Sequence, residues 1–484
     1  MDSPFPSWIT KTMIRGVKGF NLDAYLMALE GWRRGLTLTW YLDPSEVTNL
    51  KVIGHNPIGK AFSLKNNENG KIHYFYRSRG DKVSNEAVDL VRDKYHTKLK
   101  LIEAGVSTPK GLKFEKNDKV LQIINRFKME KFEYPVVVKP TLGSLGKGVI
   151  TNIINEEQLE MAISELLKND RYDQFIIEEY IEGEEFRLYV VGGEVVAATK
   201  LIPAHVIGDG KSTIRELIKE KNNQRKNNPY LKDKLIKIDQ SIEKMLEKYD
   251  LTLDSVPEIN HRILLKAPSN IAVGGEPIDV TDEITENAKI EAVKAVQAIP
   301  NLIHAGVDLI ITNESAYIIE INSTPDIVKH IFPIKGKPRN IPEKIIDYYF
   351  PETKKLANKN NKLYFNYRDV RNALRKHIAQ EIVITDAPKG KLYSTRYIVS
   401  GKVQKVGYRA WIRRQANKCD LHGYTRNLKN GKVVVVVASN DLEKLKEFKN
   451  ICYEGPKKAK VENVQELDWN SSINIGFEIR KTKT

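Results

Sequence analysis

The segment Gly306-Val-Asp-Leu-Ile-Ile-Thr-Asn-Glu-Ser-Ala-Tyr-Ile-Ile-Glu-Ile-Asn322 constrains the chain more than any other. Two β-rich runs flank Thr312-Asn-Glu-Ser315, the pattern of a hairpin with one buried face. With the turn centred on Glu314, antiparallel partners have numbers summing to 628, which sets Asp308 opposite Glu320. Asn322 shares their face by the strand period. The other face, Val307, Leu309, Ile311, Tyr317, Ile319 and Ile321, is expected to be core. Like charges directly opposite destabilise a sheet, and a hard divalent cation held by oxygen ligands offsets that. A salt-screened surface pair is the alternative, but such a pair does not call for an adjacent amide. Asp308, Glu320 and Asn322 are therefore the candidate metal ligands.

A second feature is an apolar strand ending in lysine, Val136-Val-Val-Lys139, followed by a glycine-rich loop, Gly143-Ser-Leu-Gly-Lys-Gly148. Glycines let backbone N–H groups converge on phosphate oxygens. The loop lacks the order of a Walker motif and the Rossmann spacing. A plain hairpin turn would look similar, but a buried strand lysine needs a counter-charge that a nucleotide phosphate supplies.

At 484 residues the chain exceeds one core, and 41% hydrophobic with 29% charged residues is ordinary for a soluble globular protein. No secretory leader and no membrane-length apolar run is present, and Cys419 and Cys452 fit neither a disulfide framework nor a zinc site. A cytoplasmic location is expected. The charge of +16 is spread along the chain and not gathered into an aromatic-interleaved stripe, which disfavours nucleic acid and favours small anions.

The texture is mixed α+β and α/β. A small N-terminal domain is expected over 1–90, with a helix over Asn21–Arg34 and a hairpin joining Phe62–Lys65 to Ile72–Tyr76. Asn85–Ala104 reads as one helix stopped by Gly105 and Pro109. A main domain over 91–350 carries a lysine- and asparagine-rich helical insert at about 208–262, with capping-box spacing in Thr213-Ile-Arg-Glu216. A polar linker with one amphipathic helix (Val370, Leu374, Ile378) is expected over 351–391, and a last domain over 392–484 reads strand, helix, two strands, helix, strand.

In this order, the motifs resemble the ATP-grasp superfamily, from about Asp93 to Pro325. The resemblance implies two α+β lobes clamping ATP. It makes Lys98, in Asp93-Lys-Tyr-His-Thr-Lys98, and Lys139 the two nucleotide lysines, and the loop bearing Ser144 and Gly146 the phosphate flap. Glu178-Glu-Tyr-Ile-Glu-Gly-Glu-Glu185 resembles the interdomain hinge, with Glu178 and the backbone of Glu179 and Ile181 at adenine and Glu185 at the ribose. It also implies that Asp308, Glu320 and Asn322 hold two Mg²⁺ ions, which Mn²⁺ can replace. Pro203–Ile218, Leu253–Pro257 and Ser269–Asp282 are similar to cyanophycin synthetase and to the ligase half of bifunctional glutathione synthetase, and more distantly to D-alanine–D-alanine ligase. Lys266 stands where that branch has arginine, keeping the charge of an acyl-phosphate ligand but not its fork.

Tyr397-Ile-Val-Ser-Gly-Lys-Val-Gln-Lys-Val-Gly-Tyr-Arg409, Gly423-Tyr-Thr-Arg-Asn427 and Gly455-Pro-Lys-Lys-Ala resemble an acylphosphatase, which implies a ferredoxin-like βαββαβ fold. By that match Arg409 and loop amides cradle phosphate and Asn427 orients water. Lys405 replaces a glycine of that family.

The expected enzyme is an ATP- and Mg-dependent carboxylate–amine ligase working through an acyl phosphate on an amino acid or small peptide, with acylphosphatase as a second, hydrolase activity. A ligase modifying a peptide or protein terminus and a nucleotide-binding regulator that does not ligate are the alternatives. The expected partners are ATP and small carboxylate and amine substrates, without membrane; a homodimer is left open.

Overall fold

The computed structural model describes residues 5–54, 56–143, 146–267, 269–313, 315–357 and 361–482. The chain forms two compact units. One holds Ser78–Tyr348; the other joins Phe5–Arg77 to Tyr349–Thr484. No helix among the described residues is long and apolar enough to cross a membrane.

The first unit contains two antiparallel sheets. A four-stranded sheet runs in the order Gly111–Glu115, Gln174–Glu179, Val136–Pro140, Ile150–Ile153. Val136, Val138, Phe175 and Ile177 point to a core closed by the helices Val120–Met129 and Glu156–Leu167. By the two-residue period Lys139 and Glu178 fall on the opposite face. A five-stranded sheet has the order Glu276–Asp279, Glu194–Ile202, Glu184–Val191, His304–Ile311, Ala316–Asn322. The helix Glu286–Gln297 buries Ala288, Ala292, Ala295 and Val296 on this unit's core.

The expected hairpin is present, and Asp308 pairs with Glu320 and Gly306 with Asn322. A bulge follows Asp308, so Leu309 meets Ile318 and Ile311 meets Ala316. The extra residue moves Ala316 and Ile318 into the core and leaves Tyr317 and Ile319 half-buried, which corrects the expected core face. Glu314, the expected turn centre, lies outside the described residues.

The expected single helix over Asn85–Ala104 is two, Asn85–Arg92 and Lys94–Glu103. Asp93 breaks it: its backbone is extended, and its carboxylate accepts from the amides of Tyr95 and His96. The break frees the Lys94 amide to bond the Thr141 carbonyl at 3.0 Å, tying this helix to the strand lysine's loop.

The insert opens and closes as a ribbon, His205–Ile207 against Arg262–Leu264, and folds Ile214–Asn227 and Gln240–Glu247 around a core of its own. The capping box forms, with Thr213 and Glu216 bonding each other's amides.

In the second unit Thr37–Tyr41, Ala61–Lys65 and Ile72–Tyr76 form a meander behind the helix Phe20–Arg33, and the expected hairpin pairs Lys65 with Ile72. Residues 351–391, expected to be a linker, are largely structured. Glu381–Val383 extends the meander along Thr37–Tyr41, and the helix Tyr367–Arg375 buries Val370 and Leu374 while Ile378 lies beyond it, exposed. The anchors are aromatic: Phe365 and Tyr367 pack on Tyr25 and Trp40, and Phe365 also on Trp32, with ring centroids 5.2–6.4 Å apart. The polar run from Glu352 to Lys362 hides that signal in the sequence.

The C-terminal sheet has the order Lys460–Asp468, Tyr393–Lys402, Val433–Ser439, His422–Asn427, Phe477–Ile479. The helices Tyr408–Lys418 and Leu442–Glu454 close its core over Tyr397, Val399, Val433, Val435 and Val437. The βαββαβ order is present, with a short strand added parallel to His422–Asn427.

Candidate active sites

In the first unit Lys98 and Lys139, the two lysines expected at the nucleotide, meet on one carboxylate. Lys98 Nζ lies 3.0 Å from Glu178 Oε1 and Lys139 Nζ lies 2.6 Å from Glu178 Oε2, with all three side chains nearly fully buried. Lys98 also donates to the Pro109 carbonyl and to Thr108 Oγ1. Burial pushes the Lys98 ammonium below its ordinary pKa, and Glu178 pulls it back. Burial alone would raise the Glu178 carboxyl, but Lys139 and Lys98 together hold it below the usual glutamate value. Gly111, the strand partner of Glu178, allows the approach: a Cβ there would stand 3.0 Å from Glu178 Cγ and 3.3 Å from Lys98 Cε. The strand lysine thus has a protein counter-charge, and Glu178 is spent on it.

The other hinge residues are spread along the chain between the sheets. Glu179 accepts from the Lys110 amide at 3.0 Å, Ile181 is half-buried, and Glu185 is the second residue of the next strand, exposed. Gly146 and Gly148 have φ of 70° and 73°, as a glycine flap needs, and Lys147 between them is exposed. Ser144 lies outside the described residues.

Asp308 and Glu320 form a row with a residue that no sequence motif singled out. Arg187 pairs with Asp308 in register and grips both its carboxylate oxygens. Asn322 Nδ2 donates to Asp308 Oδ2 at 3.2 Å. Burial pushes the Glu320 carboxyl up; Lys94 pulls it down, Asp308 adds to the rise and Arg187 opposes it. Lys94, also missed, spans the parts: its ammonium donates to the Gly143 carbonyl at 3.0 Å and lies 3.8 Å from Glu320. Lys94, Lys98, Thr108, Ile319 and Glu320 line one cavity. No third His, Cys, Asp or Glu joins the two carboxylates among the described residues. Two carboxylates and an amide oxygen make a donor set that fits a hard divalent ion.

Lys266 stands apart. Its ammonium pairs with Asp239 at 2.6 Å, and hydrogen bonds from Lys266 and Ser241 bring that aspartate down to about 2. The nearby loop Asn270–Gly275 is fixed instead by Arg225, fully buried in the insert, which donates to the carbonyls of Lys234, Gly274 and Gly275.

In the second unit the loop before the helix Tyr408–Lys418 is shaped as a cradle. The amides of Gln404, Lys405, Val406 and Gly407 donate to no described residue. Lys405 has φ 60° and Gly407 φ 78°, so the lysine adopts the left-handed conformation a glycine would supply. Gln404 Nε2 ties the loop to the carbonyls of Leu428 and Lys432, both at 2.8 Å. Arg409, on the helix's first turn, is half-buried without a hydrogen bond or ion pair to a described residue. Asn427 Oδ1, at the end of its strand, is buried and unpartnered among the described residues. Polar groups that the protein itself leaves unpaired are the donors and acceptors a ligand would use.

Residues 91–326 match the sequence profile of the ATP-grasp domain, and residues 395–479 that of acylphosphatase. The chain is 36% identical over 282 residues to cyanophycin synthetase of Trichormus variabilis, covering 56% of this chain and 30% of that protein. It is 35% identical over 272 residues to the glutathione biosynthesis bifunctional protein of Clostridium perfringens, covering 54% and 34%. The chain thus spans about a third of the length of these relatives. Among solved structures, a bifunctional glutathione synthetase from Pasteurella multocida aligns with a TM-score of 0.48 and 28% identity, over 62% of this chain and 41% of that one.

Proposed function

With an ATP-grasp domain over residues 91–326 and an acylphosphatase domain over 395–479, we propose that this protein is a carboxylate–amine ligase that forms an amide through an acyl phosphate. ATP transfers its terminal phosphoryl group to a carboxylate oxygen, releasing ADP. An amine then attacks the acyl carbon, phosphate leaves with the bonding electrons, and the nitrogen gives up a proton to solvent.

The observation that carries this reading is the shared cavity, in which Lys98, drawn to Glu178 beside Lys139, and Glu320, opposite Asp308, line the same space. An ammonium suits phosphate oxygens, and the carboxylate pair suits a divalent cation. Asp308, Glu320 and Asn322 would hold Mg²⁺. When bound, it neutralises the charge that develops on the transferring phosphoryl group. Lys98 and Lys139 bind phosphate and Glu178 keeps them in place. Lys94 links the glycine loop to Glu320 and so couples loop position to the carboxylate pair. Arg187 orients Asp308. Lys266, engaged by Asp239, is a phosphate ligand only if that pair opens.

In the acylphosphatase domain, Arg409 and the free amides of Gln404–Gly407 hold the phosphoryl group of an acyl phosphate, and Asn427 orients the attacking water. Acyl phosphate is the ligase intermediate and the substrate of this second site, which links the two activities chemically.

ADP release measured with pools of amino acids and small peptides tests the ligase. Release that needs both an acid and an amine, and that vanishes in Glu320→Ala, is expected. Nucleotide binding without acid- and amine-dependent release would leave only the non-ligating regulator.

A further inference from the structure

Three loops meet around the cradle of the acylphosphatase domain, and they carry lysines with no acid among them. Loop 403–407 is fastened to loop 428–432 through Gln404, whose side-chain amide donates to the Leu428 and Lys432 carbonyls at 2.8 Å. Loop 455–459 lies against the start of the same helix: a Cβ on Gly455 would stand 3.3 Å from Tyr408 Cε2. Lys405, Lys429, Lys432, Lys457 and Lys458 are all exposed, and none makes an ion pair or a side-chain hydrogen bond to a described residue. No Asp or Glu stands in any of the three loops.

This single-signed rim differs from the rest of the domain. Lys446 pairs with Glu443 at 2.7 Å, Lys449 with Glu466 at 3.0 Å, and Arg480 with Glu478 at 2.6 Å. An ordinary solvated face mixes its charges in that way, whereas cations of one sign around a concave site raise the local concentration of anions. The rim offers little else to hold a ligand, because none of the three loops exposes a large apolar side chain. Of the five lysines only Lys405 belongs to the cradle itself. It stands between the free amides at φ 60°, a conformation that disfavours a side chain. Backbone strain of this kind clusters at ligand sites.

We infer that Lys405, at the head of this rim, makes the domain select acyl phosphates whose acyl group carries a carboxylate of its own. The inference rests on the acylphosphatase reading for the position of the phosphoryl group. With Arg409 and the loop amides on the phosphoryl oxygens, the acyl group is left to the rim. There an ammonium on a flexible stem meets a carboxylate of variable reach. A neutral acyl group finds neither a matching charge nor an apolar surface.

The test is calorimetric binding of two stable β-ketophosphonates to the full chain at low ionic strength. One is the analogue of benzoyl phosphate, and the other is the same compound with a para carboxylate. Wild type should prefer the carboxylated analogue by about threefold to fivefold, the scale of exposed ion pairs. Added salt should shrink that preference. Lys405→Gly and Lys405→Asn both suit the left-handed backbone, so whichever folds serves, and each should bind the two analogues nearly alike. Lys405→Arg should keep the preference. Equal binding by wild type, or a preference undiminished in Lys405→Gly or Lys405→Asn, overturns the proposal. So does binding that survives unchanged in Arg409→Gln, since the ligand then sits elsewhere. Hydrolysis of benzoyl phosphate alongside equal binding would keep the acylphosphatase reading and sink the inference alone. A carboxylate preference without any hydrolysis of benzoyl phosphate would defeat that reading and leave the anion-selective rim standing.

Discussion

Glu178 balances two buried ammonium groups, and its removal shows how far the site depends on one side chain. Glu178→Gln keeps the shape and leaves Lys98 and Lys139 without a carboxylate. Breaking a buried ion pair from one side costs about 3–5 kcal/mol, so a loss near that size is expected in urea denaturation at pH 7. The pH dependence has a definite sign. The folded carboxyl sits below the ordinary value of 4.5, so its stabilisation is complete above 4.5 and is lost as pH falls through the folded value. Wild type and Glu178→Gln should therefore differ most near neutrality and converge in acid. A constant gap from pH 7 down to acid unfolding would mean that the carboxylate is not what holds the lysines. Lys139 could be singled out from sequence because lysine ending an apolar strand demands a counter-charge, and Lys98 through the resemblance of its segment to the ATP-grasp superfamily. That Glu178 supplies it was not legible, since strand register brings it to Lys139 and a residue without a side chain, Gly111, admits Lys98.

Elements carry the site by pairing across long stretches of chain. The pairing of Asp308 with Glu320 was readable by counting from the turn, although the count and the ladder differ inside the hairpin. Partners sum to 628 outside the bulge and 627 within it, so the extra residue at Ile319 restores the register where the carboxylates lie. Period-two patterns cannot show a bulge without a glycine or proline to mark it. Arg187 was invisible for another reason. It sits in an ordinary apolar strand, 121 residues from Asp308, and gains its role only when the two strands become neighbours. The insert works at the same scale. Arg225 was one basic residue in a basic helix, yet its guanidinium holds the loop Asn270–Gly275 through backbone carbonyls. Arg225→Met should cost about 3 kcal/mol, since it strands buried carbonyls that each cost about 1–3 kcal/mol without a donor. Amide exchange should accelerate selectively at Ile271–Gly275; uniform exchange across the unit would assign Arg225 to general stability alone.

At the scale of the whole chain, one polypeptide matches two sequence profiles, that of the ATP-grasp domain and that of acylphosphatase. The ATP-grasp region was legible because its motifs keep their order over more than two hundred residues, and the acylphosphatase region because its loop and strands are contiguous. The fold of the N-terminal part was not, because its sheet is completed by Glu381–Val383 and its aromatic core by Phe365 and Tyr367, more than three hundred residues away. A ligase of this kind consumes ATP to join an acid to an amine. Mass spectrometry of a cell metabolite extract incubated with ATP, Mg²⁺ and the full chain, alongside Glu320→Ala, reads that reaction. A new species with the mass of an acid plus an amine less one water is expected, formed in step with ADP and absent with Glu320→Ala. ADP accumulating to the same extent in both proteins, or in wild type with no amide product, would contradict it.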